Sequence, residues 1–288
     1  MAGIGFPMTI TKEQIKDVVL GENDFGHEMR VGRILDPANI KYPFEEYLRA
    51  WFKVPIQGGT YVDPVSKKPR EFDFRSKILG GSLPSRESRI IHLALECKNL
   101  SDDCPIVVCG RPRARGESYH FHIGGEDGER KAHKVAGASS LYKESAFVGK
   151  SLLRLKRNSK SILIADNDAE IYDRWSQALA SAHDLASEAV NMKSSPRSYA
   201  FIMPLVVVPD ESLWQVAYHN TGTLEGDPVQ VDQCEYYVAK EYSVGIPFII
   251  SHIHFVTMKG LEKMLSELAN RESFKWDQIF AYSSTVMD

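Results

Sequence analysis

The chain has 288 residues, of which 43% are hydrophobic and 25% are charged, a composition typical of soluble globular proteins. This composition excludes a disordered or collagen-like chain, and the length is sufficient to bury a core without disulfides or a structural metal. The 35 lysines and arginines are outnumbered by 38 aspartates and glutamates, so the net charge is −3. Nucleic-acid binding would therefore have to come from a local basic patch.

The cysteines indicate a reducing compartment. Cys97, Cys104, Cys109 and Cys234 form no CxxC pair and match no zinc-ribbon spacing, so we expect free thiols and no structural zinc. The N-terminal segment lacks the basic and apolar regions of a secretory signal, and no stretch approaches about 18 uncharged apolar residues. These features predict a cytoplasmic protein with no membrane partner.

The first half of the chain is predicted to contain one helix and several strands. The helix begins at Pro43, because apolar side chains recur after it at helical spacing: Phe44, Tyr47, Leu48, Trp51 and Phe52. Extended segments follow at residues 59–65, 70–78 and 89–98, with further strands at 106–109 and 119–123. Most of the segment 89–98 is apolar on both faces, as expected for a strand inside a covered sheet.

The second half is predicted to be helical first and extended later. Residues 131–190 favour helices, most clearly in SLLRLKR (151–157) and YDRWSQALASAHDLASEAV (172–190). Strand patterns return in FIMPLVVV, LWQVAY, CEYYVAKEY and FIISHIHFV, and the last leads into the helical segment MKGLEKMLSEL. No repeat or low-complexity linker divides the chain, so we predict a single elaborated α/β domain over 1–288.

Three charged residues carry the chemistry of the prediction. Glu96 and Lys98 lie two residues apart at the end of an apolar strand and project from one face, while Asp73 lies on a neighbouring extended segment. Placing these charges at the end of a buried strand is costly unless something compensates them. A divalent cation held by Asp73 and Glu96 would do so, and Mg²⁺ suits one or two carboxylates plus substrate phosphates. This predicts metal-assisted phosphodiester hydrolysis, with Lys98 orienting or activating a water.

Asp73 followed by Glu96-Cys97-Lys98 resembles the motif of the PD-(D/E)xK nucleases, the restriction-endonuclease-like superfamily, with Phe72 in place of the motif's proline. The resemblance implies a restriction-endonuclease-like α-β-β-β-α-β core over about residues 41–208, with a central mixed sheet flanked by helices. Additional C-terminal strands and a helix would extend it over about 209–288. The resemblance also implies Mg²⁺, or Mn²⁺ in its place, bound by Asp73, Glu96 and the backbone carbonyl of Cys97.

The segment FEEYLRAWF resembles the first helix of this superfamily, whose glutamate points towards the metal. The resemblance gives that catalytic role to Glu45, with Glu46 as the alternate. It implies a magnesium-dependent DNA endonuclease acting in restriction, defence or repair, and a homodimer as its assembly.

Basic residues offer contacts to a nucleic-acid backbone. Lys150, Arg154 and Arg157 follow the spacing of one helix face, and the loop 110–116 contributes Arg111 and Arg113. Contacts of this kind position a nucleic acid and make its binding salt-dependent, without reading its sequence. A solvated basic face is the alternative interpretation of the same pattern.

Other interpretations stay open at this point. Asp73, Glu96 and Lys98 could form an ordinary ion-pair cluster, or the chain could be a non-cleaving nucleic-acid-binding or scaffolding module on a nuclease fold. An unrelated α/β enzyme would be favoured if the carboxylates of Asp73 and Glu96 were more than about 7 Å apart. The HxH pairs at 120–122 and 252–254 favour core or surface histidines over a second metal site.

Overall fold

The structure is a computed structural model that describes residues 11–14, 16, 25–43, 45–82, 87–100, 104–126, 129–157, 161, 163–165, 168–191, 197–243, 245–281 and 285–286, without the side chains of 81–82, 126, 168–174, 274 and 285–286. The helices are α1 Phe25–Leu35, α2 Asp168–Asn191, α3 Met258–Leu268 and α4 Phe274–Ile279. Short 3₁₀ turns occur at Pro37–Asn39, Glu46–Leu48, Arg115–Glu117 and Gly137–Ser139. None of the helices in these ranges is long and apolar enough to cross a membrane.

The strands of the first half are β1 Trp51–Phe52, β2 Ile56–Gln57, β3 Thr60–Val62, β4 Pro69–Glu71, β5 Phe74–Ser82, β6 Glu87–Cys97, β7 Ile106–Pro112, β8 Tyr119–Glu126 and β9 Lys131–Ala136. The remaining strands are β10 Phe147–Arg157, β11 Leu163–Ala165, β12 Arg197–Val208, β13 Leu213–Ala217, β14 Val229–Gln230, β15 Gln233–Ser243, β16 Pro247–Thr257 and β17 Thr285–Val286.

One mixed sheet of 15 strands organises the described chain, with the main order β1-β5-β6-β12-β16-β15-β10-β7-β13-β14. β6 runs antiparallel to β5 and parallel to β12, which in turn runs parallel to β16. β3 and β4 form a separate hairpin. The fold is therefore α/β with a large mixed sheet and few helices, and the strands after residue 208 extend that sheet.

β12 lies in the interior of the sheet. It pairs with β6 over eleven residues, from Arg197 opposite Glu87 to Val207 opposite Cys97. Its other edge pairs antiparallel with β8 at the start and parallel with β16 at the end. Residues 201–208 are all buried, because helices cover both faces of the strand, and this explains the continuous apolar run FIMPLVVV.

The two faces of β6 pack against different helices. Ala94 belongs to the hydrophobic cluster that includes α2, whereas Leu93, Leu95 and Cys97 belong to the cluster that includes α1, α3 and α4. Because side chains alternate along a strand, Glu96 shares the α2 face with Ala94.

The helix predicted from Pro43 is wrong. The chain instead forms the 3₁₀ turn Glu46–Leu48 and then β1, while Phe44 lies outside the described residues. The Ala50 amide bonds to the Ala269 carbonyl at 2.8 Å, and Trp51 pairs with Leu79 of β5. Pairing with distant segments has replaced the hydrogen bonds that a helix would have made.

The helices predicted at the start of 131–190 are also wrong, because 131–136 and 147–157 form β9 and β10. In SLLRLKR, Leu153 and Leu155 alternate with Arg154 and Lys156, a period of two that suits a strand. The predicted segment 70–78 divides at Asp73 into β4 of the hairpin and β5 of the main sheet. The helix within 172–190, the helix MKGLEKMLSEL and the other predicted strands are confirmed.

Histidines from both HxH pairs are buried in the core, as favoured above. His120, His122, His252 and His254 are each at most 6% exposed, and so is His92 of β6. The Tyr142 ring stacks on His252 with centroids 3.7 Å apart, and its hydroxyl lies 2.9 Å from Nε2 of His254. Burial lowers the pKa of His120 to about 4 and the pKa values of His92, His122 and His254 to about 3.

These lowered pKa values predict that the protein loses stability in mild acid. Unfolded histidine has a pKa of about 6.5, so below that pH the unfolded chain binds protons that the folded chain does not. The contribution is fully present above about pH 6.5 and falls by about 2 kcal/mol per buried histidine at about pH 5. Urea unfolding at about pH 7.5, 6 and 5 measures the loss.

A matched pair of variants tests the cause of this loss. His92 is buried, and neither of its ring nitrogens has a hydrogen-bond partner among the described residues, whereas His219 is exposed. His92→Leu is expected to reduce the loss of unfolding free energy in acid by the contribution of one buried histidine. His219→Leu is expected to leave that loss unchanged. An unfolding free energy that is constant from about pH 7.5 to 5 would contradict the prediction.

Candidate functional site

The pairing of β5 with β6 brings Asp73 beside Glu96. Phe74, the first residue of β5, pairs with Leu95, so Asp73, the residue before β5, lies at the end of β6 that carries Glu96. The Asp73 carboxylate contacts the backbone amide of Cys97, the residue that follows Glu96. This proximity does not favour the interpretation in which the two carboxylates belong to separate sites.

Two short hydrogen bonds hold the charged groups in place. The backbone amide of Cys97 donates to Oδ2 of Asp73 at 2.6 Å, and Nζ of Lys98 donates to Oε1 of Glu96 at 2.6 Å. The side chains of Lys98 and Glu96 are only 13% and 6% exposed, so this ion pair is nearly buried. The Lys98 amide bonds to the Val207 carbonyl at 2.8 Å, which fixes the end of β6 against β12.

Lys98 lines a small cavity of about 30 Å³, and a second basic side chain, Arg154, lines the same cavity. The cavity is lined by Lys98, Leu100, Ile106, Arg154, Trp175, Val206 and Phe255. Arg154 comes from β10 and Trp175 from α2, so three parts of the chain that are distant in sequence meet next to the Glu96–Lys98 pair. The wall of this cavity is almost entirely apolar, so it is the stems of Lys98 and Arg154 that line it and bring these two basic side chains close together.

The β3–β4 hairpin and α2 enclose the other side of Glu96. The hydroxyl of Tyr61, in β3, donates to the Gln177 carbonyl of α2 at 3.3 Å. Burial raises the pKa of Tyr61, and the nearby negative charge of Glu96 raises it further, so this phenol stays protonated. Arg75 of β5 pairs with Asp184 of α2 at 2.8 Å, which fixes the helix over this part of the sheet.

Cys97 projects away from Glu96, into the α1 side of the core. Burial raises the pKa of its thiol, and the negative charges of Asp73, Glu28 and Glu96 raise it further. This side chain is 1% exposed, so only its backbone could join a metal site on the α2 face. The expectation that Cys97 acts through its carbonyl remains a prediction.

Glu28 of α1 is a carboxylate that the motif did not reveal. It is close enough to influence the Cys97 thiol, and the neighbouring His27 donates from Nε2 to the Val207 carbonyl at 3.2 Å. These contacts bring α1 to the end of β6 that carries Glu96. The sequence signal was the apolar face of α1, formed by His27, Val31 and Leu35 at intervals of four.

Glu45 and Glu46 lie at the opposite end of the sheet. They occupy the start of the 3₁₀ turn that precedes β1, and Trp51 of β1 pairs with Leu79, six residues along β5 from Asp73. At about 3.3 Å per residue this separation is about 20 Å, so neither glutamate lies near Asp73, Glu96 and Lys98. The helix role predicted for Glu45 is therefore not supported by its position.

The predicted basic stripe is divided, because β10 is a strand and not a helix. Arg154 reaches the cavity beside Lys98, whereas Arg157 is exposed and donates to the Ser161 carbonyl at 3.1 Å. Lys150 and Arg111 both bond to Oε1 of Glu117 at 2.7 Å.

Arg113 does not fit the predicted contact to nucleic acid. Its side chain has no exposed surface, because it is paired with Glu235 and donates to the Lys143 carbonyl at 2.7 Å. A guanidinium enclosed in this way stabilises the interior and does not face a ligand at the surface.

The donor set of Asp73 and Glu96 fits a hard cation that takes oxygen ligands. Within the described residues no three His, Cys, Asp or Glu side chains are grouped so that they could hold a metal ion by themselves. Two carboxylates suffice for Mg²⁺, which retains waters and accepts substrate phosphate oxygens as its remaining ligands.

Comparisons with protein-family models, with curated proteins and with solved structures found no match for this chain.

The nearly buried Glu96–Lys98 pair predicts a strong thermodynamic coupling. Lys98→Met leaves the Glu96 carboxylate buried without its cation, and is expected to lower the free energy of unfolding by about 3–5 kcal/mol. The double variant Glu96→Gln/Lys98→Met should lose less than the sum of the single changes, since neither side chain is left charged. Urea unfolding of the four proteins measures the coupling.

The exposed pair Lys275–Glu267 provides the control, because these side chains are 31% and 36% exposed. Lys275→Met is expected to cost less than about 1 kcal/mol. Additive losses at Glu96 and Lys98 would contradict a coupled buried pair.

Proposed function

We propose that this protein is a metal-dependent nuclease that hydrolyses phosphodiester bonds, with DNA as its substrate. The observation that carries the proposal is a pair of hydrogen bonds at the end of β6, where the Cys97 amide donates to Asp73 and Lys98 donates to Glu96, each at 2.6 Å. Two carboxylates and a lysine at the end of a buried strand form a site for a divalent cation and a phosphate.

The order of elements around this site supports a restriction-endonuclease-like core. A helix, α1, precedes the antiparallel strands β1, β5 and β6, and α2 then leads to β12, which is parallel to β6. This order corresponds to the α-β-β-β-α-β unit, with β7 to β11 inserted between β6 and α2. In this proposal the core begins at α1 and not at residue 41.

Asp73, Glu96 and the Cys97 carbonyl would hold Mg²⁺ or Mn²⁺. The bound cation would polarise the phosphate and lower the pKa of the attacking water. Asp73 is oriented for this role by the Cys97 amide, which donates to its Oδ2.

Lys98 and Arg154 would bind and orient the phosphate from one side. Both line the same small cavity, and the Lys98 ammonium is positioned by Glu96. A positive charge fixed at this point stabilises negative charge that develops on the phosphate oxygens, and it orients a water by hydrogen bonding. Lys150, Arg111 and Arg157 would contribute weaker contacts to the backbone of the nucleic acid, away from the reacting bond.

The alternative is a nucleic-acid-binding module that does not cut. It is favoured by the burial of Glu96, which is 4% exposed with its Oε1 bonded to Lys98. A purely structural ion pair would have these same properties.

Cleavage assays separate the two functions. Plasmid and single-stranded DNA are expected to be cut with Mg²⁺ or Mn²⁺ and left intact with EDTA. Asp73→Ala and Lys98→Ala are expected to slow cleavage by about 100-fold or more, because each removes a group that acts on the reacting phosphate or water. Lys275→Ala, at the exposed ion pair, is the control and should cut at the wild-type rate. Failure of the wild type to cut, or equal cutting by the Asp73 and Lys98 variants, would support the binding module.

The positions of two glutamates give a second test. Glu28→Gln is expected to reduce the cleavage rate by roughly 10-fold and to raise the Mg²⁺ concentration needed, because Glu28 acts from the α1 face on Cys97, whose backbone carbonyl is a proposed metal ligand. Glu45→Gln should have little effect, because Glu45 is about 20 Å away along β5. Cleavage rates over a Mg²⁺ titration measure both variants, and the reverse order of effects would restore the role first predicted for Glu45.

A further inference from the structure

A trough lined with aromatic rings lies beside the candidate site. Its cavity of about 430 Å³ is bounded by α2, by the β3–β4 hairpin and by β15. The side chains that matter most are Trp175, Tyr236, Tyr237, Tyr242, Arg70 and Lys240. Cavities of about 300–1,000 Å³ with aromatic walls and a few polar groups are typical ligand sites.

The rings in this trough are fixed in position by their neighbours. Trp175 and Tyr236 have centroids 5.7 Å apart, and the Tyr236 hydroxyl donates to the Lys150 carbonyl at 3.1 Å. The Lys150 ammonium lies 4.0 Å from the centre of the Tyr237 ring. These aromatic side chains are only partly buried, so rigid π-faces border the cavity.

An irregularity in β15 forms one wall of the trough. The pairing of β15 with β16 shifts between Tyr237 and Lys240, where Ala239 has a φ of 44°. On its other side β15 pairs with β10 only through Tyr236 and Gly149. A bulge increases the local twist of a strand and redirects its side chains, and Tyr237, Val238 and Lys240 at this bulge all line the trough.

The trough is elongated and not a closed hole. A second cavity of about 400 Å³ shares Asp63, Val65, Lys240 and Tyr242 with the first and continues to Lys67 and His183. The Asp63 carboxylate accepts the amides of Val65 and Ser66 at 2.9 and 2.7 Å, so its charge is engaged within its own loop. Its Oδ2 also lies 3.9 Å from Nε of Arg70, so the charges of Asp63 and Arg70 offset each other. Lys240 then gives the walls of the first cavity a net charge of +1, which suits a linear anion.

Trp175 connects the trough to the proposed catalytic centre. Its side chain lines both the trough and the small cavity that Lys98 and Arg154 also line. A chain whose phosphate lay beside Lys98 would meet the Trp175 ring with its adjacent base.

We infer that this trough binds unpaired bases of single-stranded DNA next to the phosphate that is cut, with Trp175 as the stacking surface. Stacking on an aromatic side chain requires a base that is outside a duplex, and it tolerates any base because every base has a π-face. Arg70 and Lys240 would contact the phosphates of the same strand. This inference rests on the proposed nuclease and extends it from DNA in general to a single-stranded segment.

Binding measured in EDTA tests the inference without cleavage. The probe is a fluorescein-labelled oligothymidylate about ten nucleotides long, within the range of single-strand site sizes. Trp175→Ala is expected to weaken its binding by roughly 5- to 150-fold, equivalent to the about 1–3 kcal/mol that stacking of one base contributes. Trp51→Ala is the matched control, because Trp51 is 56% exposed and lies on β1, five strands from β15.

Tryptophan fluorescence reports the contact in the wild type itself, so this test does not depend on the folding of Trp175→Ala. The oligothymidylate should quench the wild type and Trp214→Phe, and should no longer quench Trp175→Phe. Equal binding by a duplex, undiminished binding by Trp175→Ala, or equal quenching by thymidine monophosphate would overturn the single-strand assignment.

The two proposals fail in different ways. Metal-dependent cleavage with no effect at Trp175 would keep the nuclease and reject the trough. Quenching through Trp175 without any cleavage would keep the trough as a single-strand site and reject the nuclease.

Discussion

The antiparallel register of β5 against β6 is the constraint on which the candidate site depends. In this register β5 begins opposite Leu95, which places Asp73 beside the end of β6, and a shift of one residue would turn every side chain of β5 to the other face of the sheet. β6 is also held in place at its other edge, because it pairs with β12 over eleven residues, most of them apolar. The core therefore determines the relative positions of two carboxylates that lie at its margin.

The same burial explains why the charged group is costly. Glu96 and Lys98 are largely removed from water, and desolvating each ion costs several kcal/mol before their attraction compensates. An apolar pair of similar volume would stabilise the end of β6 as well or better. The proposed function gives this cost a physical reason, because two carboxylates and a lysine in one small region would bind a metal ion and a phosphate.

The sequence predicted the residues of the candidate site that lie at the end of β6 and on the extended segment next to it. Glu96 and Lys98 follow from the two-residue period of β6, and Asp73 from the adjacent extended segment. The residues that reach the site from elsewhere depend on long-range packing, which periodicity does not encode. Glu28 arrives with α1, Trp175 with α2, and Arg154 with a strand whose Leu-Arg-Leu-Lys alternation was interpreted as a helix. Long-range packing also explains why the helix predicted around Glu45 does not form, because Trp51 pairs with Leu79 in a sheet instead of continuing a helix.

In the proposed function, α2 connects the chemistry of the candidate site to the choice of substrate. Near its start Trp175 separates the aromatic trough from the cavity of Lys98, and further along Asp184 anchors the helix to Arg75 of β5. Because Arg75 is two residues from Asp73, the helix that carries the stacking ring is fixed to the strand that leads from the carboxylate. A base stacked on Trp175 and a phosphate held at Lys98 would therefore be positioned by one rigid unit. Such a unit would favour strands that are already unpaired, since a duplex would have to lose base stacking before it could enter the trough.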